Sequence, residues 1–237
     1  MDTTMLQKIE DGRTDLIIDY LENDSFQGNY KSLMKYAAYY GDVTAVKYLI
    51  RKGADIKDLG TNLDLNGAAF HNHWQLCQFL LEKGADASLA KVDNGETALH
   101  SALSKANSKR TYQVAHLLLS YNANPNAKTL SNKESGAFMR DAKTYGETPL
   151  HRAAAFGSVE VIDLLLEYGA DANAEDQNGN TPLSWASWHL RPGIILSKLM
   201  HSGQKLHPLH IERLKSCLLY TSPSPRDKRQ SRMPSSA

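Results

Sequence analysis

Apolar and polar positions between residues 145 and 173 follow the pattern of two short helices joined by a tight turn. The first apolar set is spaced at helical intervals and consists of Leu150, Ala153 and Ala154. Gly157 and Ser158 interrupt this pattern, and the apolar residues between Val161 and Leu166 give the second helix a broad apolar face. Gly169 supplies the left-handed residue that ends a helix. The stretch therefore predicts two antiparallel helices that each bury one face.

Local signals mark where the first of these helices begins. Thr148 can cap it with its hydroxyl, and Pro149 fits the first turn, where its missing N–H removes no hydrogen bond. Helices this short are not stable alone in water, so the pair needs neighbours to pack against.

The same pattern recurs along the chain. The helix end is repeated as Gly53-Ala54-Asp55, Gly84-Ala85-Asp86, Asn122-Ala123-Asn124 and Gly169-Ala170-Asp171, with a degraded copy at Ser202-Gly203-Gln204. The first four copies begin 31, 38 and 47 residues apart. The helix start is repeated as Thr97-Ala98-Leu99-His100 and Thr181-Pro182-Leu183-Ser184. A helix pair that recurs with a period of about 33 residues is typical of a repeat array.

The residues that carry this pattern resemble the ankyrin-repeat family. Its consensus is matched closely by Thr148-Pro149-Leu150-His151, Ala153-Ala154 and Gly169-Ala170-Asp171, and the resemblance covers residues 30–206, with a weaker copy at 4–28. It implies an all-α ankyrin-repeat solenoid of about six helix-turn-helix repeats with short β-hairpin fingers. It also implies that His100 and His151 hydrogen-bond within and between repeats. The motif says almost nothing about the ligand.

The predicted organisation begins with a degenerate N-terminal capping repeat at residues 1–29. The following repeats occupy residues 30–59, 60–92, 93–127, 144–175 and 176–206, with a loop insertion at 128–143. The insertion is either a functional loop or a disordered one, and its apolar residues Phe138 and Met139 either anchor a partner or pack back on the array. Residues 207–216 predict a C-terminal helix or the start of a truncated repeat.

Residues 217–237 change composition abruptly and are rich in Ser, Pro and Arg. They are either a disordered basic tail or, in the interpretation that we favour, translated sequencing-adapter sequence, which is a contaminant of predicted proteins. Without them the net charge changes from +1 to −2, because they contain four basic residues and one acidic residue. On this interpretation the natural C-terminus is missing.

Composition argues against nucleic-acid and membrane partners. The net charge of +1 over 237 residues offers no electrostatic footprint for either. No apolar run in the sequence reaches membrane-spanning length, and residues 1–20 lack the core of a signal peptide. Cys77 and Cys217 form no disulfide framework, so we expect a cytoplasmic location.

The sequence contains no motif that predicts catalysis, a cofactor or a metal site. It lacks a Gly-rich phosphate loop, G-x-S-x-G, H-E-x-x-H and C-x-x-C. His71 and His73 lie at the end of one predicted helix and the start of the next, so they do not converge with Cys77 as metal ligands would. A row of carboxylates favours a solvated outer face and consists of Glu160, Asp163 and Glu167. We therefore expect no enzymatic activity.

Aromatic residues recur where the first helix of a repeat ends, a position that faces the concave groove in the family that the chain resembles. They occur in the pairs Tyr39-Tyr40, Phe70-His71, Ala155-Phe156 and Ser187-Trp188. Tyr and Trp dominate interface hot spots, so these residues predict a protein-binding surface, which Trp185 could join. The alternative is that some of them turn inward and pack between repeats.

Polar residues at the predicted finger tips are further binding candidates. They are Asn94, Glu96, Tyr145, Glu147, Gln177, Asn178 and Asn180. Asn94 and Asn178 each precede a glycine, so their first role is the tight turn. Arg152 either pairs with an acidic group of a partner or is an ordinary surface arginine.

The function predicted from these features is non-catalytic binding of another protein by a monomer, through the groove and the fingers. The alternative is the targeting module of a larger protein, whose C-terminal effector or enzymatic domain is absent from this sequence.

Overall fold

The computed structural model describes residues 3–22, 30–104, 109–135 and 143–200, together with Glu212. The predictions for residues 207–216 other than Glu212, for the tail at 217–237 and for Phe138 and Met139 lie outside the described residues.

The described residues form α-helices that follow one another in pairs. Their bounds are α1 Thr3–Glu10 and α2 Leu16–Glu22, α3 Tyr30–Tyr39 and α4 Val43–Arg51, α5 Leu65–Phe70 and α6 Trp74–Glu82, α7 Ala98–Ala102 and α8 Lys109–Ser120, α9 Pro149–Phe156 and α10 Val159–Glu167, and α11 Pro182–Trp188 and α12 Gly193–Met200. Two short 3₁₀ helices, Ile56–Leu59 and Thr61–Asp64, precede α5. Within the described ranges the only β-pairing is an isolated bridge between Glu134 and Lys143. The all-α prediction is confirmed.

The helix pairs stack in two layers. Each first helix contacts the first helix of the next pair, from α1 through α11, and each second helix contacts the next second helix, from α2 through α12. The apolar faces meet between the layers, where Leu99, Leu150 and Leu165 have no exposed surface. Complete burial of such a side chain contributes about 1.5–3 kcal/mol, so neighbouring pairs stabilise one another.

The predicted local signals set the helix ends. Thr97 and Thr148 each form a capping box with the histidine three residues later, and Thr181 accepts a hydrogen bond from the amide of Ser184. At the other end, Gly169 has φ 83° and Asn122 replaces glycine at the corresponding position with φ 62°. Both residue types tolerate this left-handed backbone, which explains why Asn can copy the glycine signal.

The third pair departs from the pattern because it lacks the Thr-Pro start. Asn62, Leu63 and Asp64 all have positive φ, near 53°, and α5 begins only at Leu65. The Asn62 side chain donates to the carbonyl of Asp86 at 2.8 Å and accepts from the Asp86 amide at 2.8 Å. These hydrogen bonds between the Asn62 side chain and Asp86 therefore fix the start of the third pair, where a threonine cap is missing.

The described ends of the insertion belong to the junction between the fourth and fifth pairs. The amide of Leu130 donates to the carbonyl of Asn94 at 2.8 Å, and the amide of Thr129 donates to the carbonyl of Glu147 at 3.1 Å. The hydroxyl of Ser135 donates to the Glu96 carboxylate at 2.7 Å. Residues 128–135 thus lie between the two turns that precede α7 and α9.

Within the described part of the chain, no helix is both long and apolar enough to cross a membrane.

Candidate functional site

The two histidines of the helix starts link successive pairs. Nδ1 of His100 accepts from the amide of Thr97 at 3.2 Å, and its Nε2 lies 3.2 Å from the carbonyl of Glu147 in the next pair. His151 repeats this with Thr148 at 3.1 Å and the carbonyl of Asn180 at 3.0 Å. The structural role that the resemblance implied for both histidines is confirmed.

A buried ion cluster, the buried triad, consists of Arg152, Glu96 and Glu147. Nη2 of Arg152 lies 2.7 Å from Glu96 and 2.6 Å from Glu147, and none of the three side chains is more than 1% exposed. Nη1 of Arg152 also donates to the carbonyl of His100 at 3.1 Å and to the hydroxyl of Ser104 at 2.9 Å. The triad therefore ties the turns before α7 and α9 to the body of both helices.

The triad shifts the ionisation of its members. Burial raises the pKa of both carboxyls, but the Arg152 charge and several hydrogen bonds outweigh it, so the pKa of Glu96 is lowered and that of Glu147 falls to about 2. Burial, followed by the Arg152 charge, lowers the pKa of His100 to about 3. At neutral pH this junction thus contains a neutral histidine and two ionised carboxylates around one guanidinium.

The burial of these side chains corrects part of the sequence-based prediction. Arg152, Glu96, Glu147 and Asn94 are at most 2% exposed, so their side chains are not available to a partner, and both interpretations of Arg152 as a surface residue were wrong. Glu96 and Glu147 hold the same position before the capping threonine in successive turns. One arginine between them satisfies both, a pairing across 56 residues that helical periodicity does not reveal.

Acid is expected to destabilise the fold from near neutrality. His100 and His151 have lowered pKa values in the folded state, so below the ordinary histidine pKa of about 6.5 the unfolded chain binds protons that the folded chain does not. The lowered pKa of Glu147 adds to the loss of stability once the pH falls below the ordinary glutamate pKa of 4.5. The free energy of unfolding in urea should therefore fall between about pH 7.5 and about pH 5. His100→Gln should flatten this dependence and His116→Gln, at an exposed position, should not; a flat wild-type profile would contradict the assignment.

The N-terminal aromatic cluster contains Tyr39, Tyr40, Phe70, His71 and His73. The Tyr39 ring meets those of Tyr40 at 5.0 Å and His71 at 4.8 Å, and His71 meets Phe70 at 5.1 Å. Tyr39 is 57% exposed, whereas Tyr40 donates its hydroxyl to the carbonyl of Glu10 at 2.8 Å. The structure thus brings four predicted site residues together where α3 and α5 end, and Tyr39 presents the most open ring.

The C-terminal cleft is the second place where predicted residues converge. It has a volume of about 300 Å³ and is lined by Tyr145, Asp176, Asn178, Asn180, Trp185, Trp188 and His189. Trp188 is 58% exposed and Tyr145 is 39% exposed. Phe156 lies beside the cleft, with its ring 4.7 Å from that of His189, and Gln177 is exposed without lining it. Tyr145, Asn178, Asn180 and Trp188 were predicted from the sequence, and Trp185 joins Trp188 as expected.

Asp176 organises the cleft and was not among the residues predicted from the sequence. Its carboxylate accepts from the amides of Asn178 at 2.8 Å and Asn180 at 2.9 Å, and from Nε1–H of Trp185 at 2.9 Å. An aspartate that begins a turn ending in Asn-Gly is a recognisable signal, because its side chain can accept from amides two residues on. Asp176 therefore fixes both the turn and one tryptophan wall.

The exposed aromatics do not form one continuous row. The N-terminal aromatic cluster belongs to the second and third pairs and the C-terminal cleft to the fifth and sixth, while α7 between them is followed by the buried Leu103. A separate row lies on the second helices, where the His116 ring is 6.2 Å from that of Tyr112 and 6.3 Å from that of Tyr168. Two separate surfaces thus carry the predicted residues.

His71, His73 and Cys77, which were considered as metal ligands, contribute to packing instead. The rings of His71 and His73 stack at 5.6 Å, and Nε2 of His73 lies 3.0 Å from the carbonyl of Tyr39. Cys77 has no exposed surface, and burial raises the pKa of its thiol to about 12, as befits a small core residue. Among the described side chains, no group of three or more His, Cys, Asp or Glu is placed to hold a metal ion.

Comparisons with known proteins agree with this architecture. A family model described as ankyrin repeats (three copies) matches residues 33–129 and 127–207. The target of rapamycin complex 2 subunit AVO2 of Saccharomyces cerevisiae is 29% identical over 158 residues, which cover 63% of this chain and 32% of that protein. Ankyrin repeat and SOCS box protein 16 of Mus musculus is 31% identical over 164 residues, covering 65% of this chain and 32% of that protein.

A palmitoyltransferase matches a similar share of this chain. Palmitoyltransferase ZDHHC13 of Mus musculus is 31% identical over 175 residues, which cover 65% of this chain and 28% of that protein. The chain thus spans about a third of the length of these relatives or less. Ankyrin repeats are protein-interaction modules, and the matched family segments extend over most of the described helices. The chain belongs to the ankyrin-repeat family.

Proposed function

We propose that this chain is a non-catalytic protein-binding module of about six repeats, whose finger turns and first-helix ends hold a segment of another protein. The observation that carries this proposal is the C-terminal cleft, where Tyr145, Asn178, Asn180 and Trp188 line one concave site. The short turns before α7, α9 and α11 act as the fingers, although they contain no regular strand in the described residues. The module works as a monomer in the cytoplasm.

The chemistry of the cleft suits a protein partner. Tyr and Trp offer a large rigid contact area with few rotatable bonds, and they are enriched among residues that dominate binding energy. Asp176 holds the turn and the Trp185 ring before any partner arrives. A preformed site of this kind lowers the ordering cost of association.

Replacement of Trp188 by alanine is expected to weaken partner capture about tenfold or more without unfolding the chain. Trp188 is 58% exposed, so its loss leaves no cavity in the core. Peptides selected from a random displayed library on the wild-type chain supply the partner segment, and their affinity is measured by calorimetry.

The matched control is Tyr168→Ala. Tyr168 is 41% exposed, follows α10 and does not line the cleft, so its loss should leave the affinity unchanged. Equal affinities of wild type and Trp188→Ala for every selected peptide, with unchanged helical content, would remove the cleft from the binding surface.

A second function is favoured by the coverage of the relatives. Because the aligned region covers only 32% or 28% of proteins such as the yeast complex subunit and the mouse palmitoyltransferase, the repeats could serve as the targeting part of a larger protein with a C-terminal effector or enzymatic domain. Sequencing the natural transcript across the codon for Ser216 tests this. A reading frame that continues into another domain supports the targeting role, and one that soon stops supports the stand-alone module.

A further inference from the structure

We infer that the C-terminal cleft recognises an arginine side chain, so that the partner segment carries a guanidinium into it. The inference rests on the proposed function and adds the chemistry of the ligand. It follows from the aromatic walls, the negative charge and the hydrogen-bond acceptors of the cleft.

The walls of the cleft are aromatic faces. Tyr145 and Trp185 meet edge to face with ring centroids 6.4 Å apart, and Trp188 completes the lining. A cation is attracted to the electron-rich face of an aromatic ring, and tryptophan is the strongest partner for it. At about 300 Å³ the cleft lies at the small end of the range for ligand sites, which fits one side chain rather than a helix or a cofactor.

The charge of the cleft is negative. Asp176 is only 7% exposed, and the hydrogen bonds that hold its carboxylate come from neutral groups, the amides of Asn178 and Asn180 and the indole of Trp185. Among the described residues that line the cleft there is no lysine or arginine. Burial and then the Arg191 charge lower the pKa of His189, so this lining residue is neutral at neutral pH. An incoming cation would therefore meet a carboxylate whose hydrogen-bond donors, among the described residues, are all neutral.

The shape of the cation that fits is planar. A guanidinium stacks flat on an indole while its edge donates to acceptors in the same plane, whereas an ammonium is a compact, strongly hydrated charge. Nδ2 of Asn180, a lining residue, donates to Asp176 at 3.3 Å, and its amide oxygen is a second acceptor type in the cleft. Ring faces beside a carboxylate and an amide oxygen thus favour arginine over lysine.

The test uses the full chain and three short capped peptides of glycine and serine, with arginine, citrulline or lysine at the centre. Citrulline has nearly the shape of arginine without its charge. The chain has three tryptophans, so the indole N–H signals in an NMR titration report separately on Trp185, Trp188 and the remote Trp74. The arginine peptide should shift the Trp185 and Trp188 signals with a dissociation constant in the millimolar range, as one side chain allows, and leave Trp74 unmoved.

Two variants sharpen the result. Trp188→Ala should weaken the arginine peptide by about three- to tenfold, and Trp74→Ala, at an exposed tryptophan outside the cleft, should not change it. Asp176→Asn keeps the volume but removes the charge and should reduce the preference for arginine over citrulline. If Asp176→Asn does not fold, the citrulline peptide still decides whether charge is recognised.

The possible outcomes separate this inference from the proposed function. Equal binding of arginine and citrulline, equal binding of arginine and lysine, or no movement of the Trp185 and Trp188 signals overturns the inference. If library-selected peptides still lose affinity with Trp188→Ala in that case, the binding function stands and only the ligand chemistry is wrong. If the arginine peptide binds but no selected peptide depends on Trp188, the cleft does recognise arginine, but the proposed function, in which a partner segment occupies the cleft, is overturned.

Discussion

Replacement of Arg152 by methionine is expected to lower the free energy of unfolding by about 3–5 kcal/mol at neutral pH. The change leaves Glu96 and Glu147 as two carboxylates that are at most 1% exposed and have lost their shared cation. Removing one partner of a buried ion cluster is costly, because the remaining charges keep their desolvation penalty without the attraction that offset it. Urea denaturation followed by far-UV circular dichroism measures the loss.

The chain offers a matched control in Arg13→Met. Arg13 pairs with Asp15 at 2.8 Å, but both side chains are 61% exposed, so the same substitution there should change the free energy of unfolding far less than Arg152→Met does. Adding Glu96→Gln and Glu147→Gln to Arg152→Met should recover much of the stability, since no charge is then left buried. An Arg152→Met variant as stable as Arg13→Met would show that the triad does not hold the junction.

Replacement of Gly95 by alanine is expected to cost roughly 3 kcal/mol, well above the cost of Gly179→Ala. Both glycines have similar positive φ, 71° and 73°, at the same position of their turns, so both variants bear the left-handed penalty of about 1–2 kcal/mol. A Cβ on Gly95 would lie 2.7 Å from the backbone nitrogen of Leu130, whereas one on Gly179 would meet nothing within 4 Å. The Leu130 amide donates to Asn94 at 2.8 Å, so the insertion cannot shift without breaking that bond.

The comparison of these two glycine variants isolates the packing of the insertion. Unfolding free energies in urea give the difference, and amide exchange at Thr129 and Leu130 should rise in Gly95→Ala alone. Equal destabilisation of both variants would mean that residues 129–130 can move away from the added methyl group at no cost in stability.

The helix pairs could be predicted from the sequence because their signals are local. Threonine caps lie next to the helices that they start, and Gly169 or Asn122 lies next to the helix that it ends. The alternation of alanine and leucine faces then predicted which sides pack. The third pair was the exception, since its entry depends on Asn62 bonding to Asp86 across 24 residues.

The candidate site could be predicted only in part, because burial of polar groups depends on long-range partners. Glu96 and Glu147 resembled finger residues and Arg152 a surface arginine, and the pairing of the arginine with both carboxylates, across as many as 56 residues, buries all three. The aromatic lining was predictable, because aromatic residues recur where the first helices end, as at Trp188, and Tyr145 lies in a predicted turn. The turn that Asp176 begins was recognisable from the sequence, but its hydrogen bond from Trp185 was not, because that contact depends on how the turn places the ring.

Amide hydrogen exchange of the full chain, with and without a library-selected peptide, shows whether the C-terminal cleft binds a partner segment. The peptide should slow exchange in residues 143–147 and 176–189, which contain the residues that line the cleft. Protection confined to α8 and α10, or no protection in the cleft at saturating peptide, would contradict it.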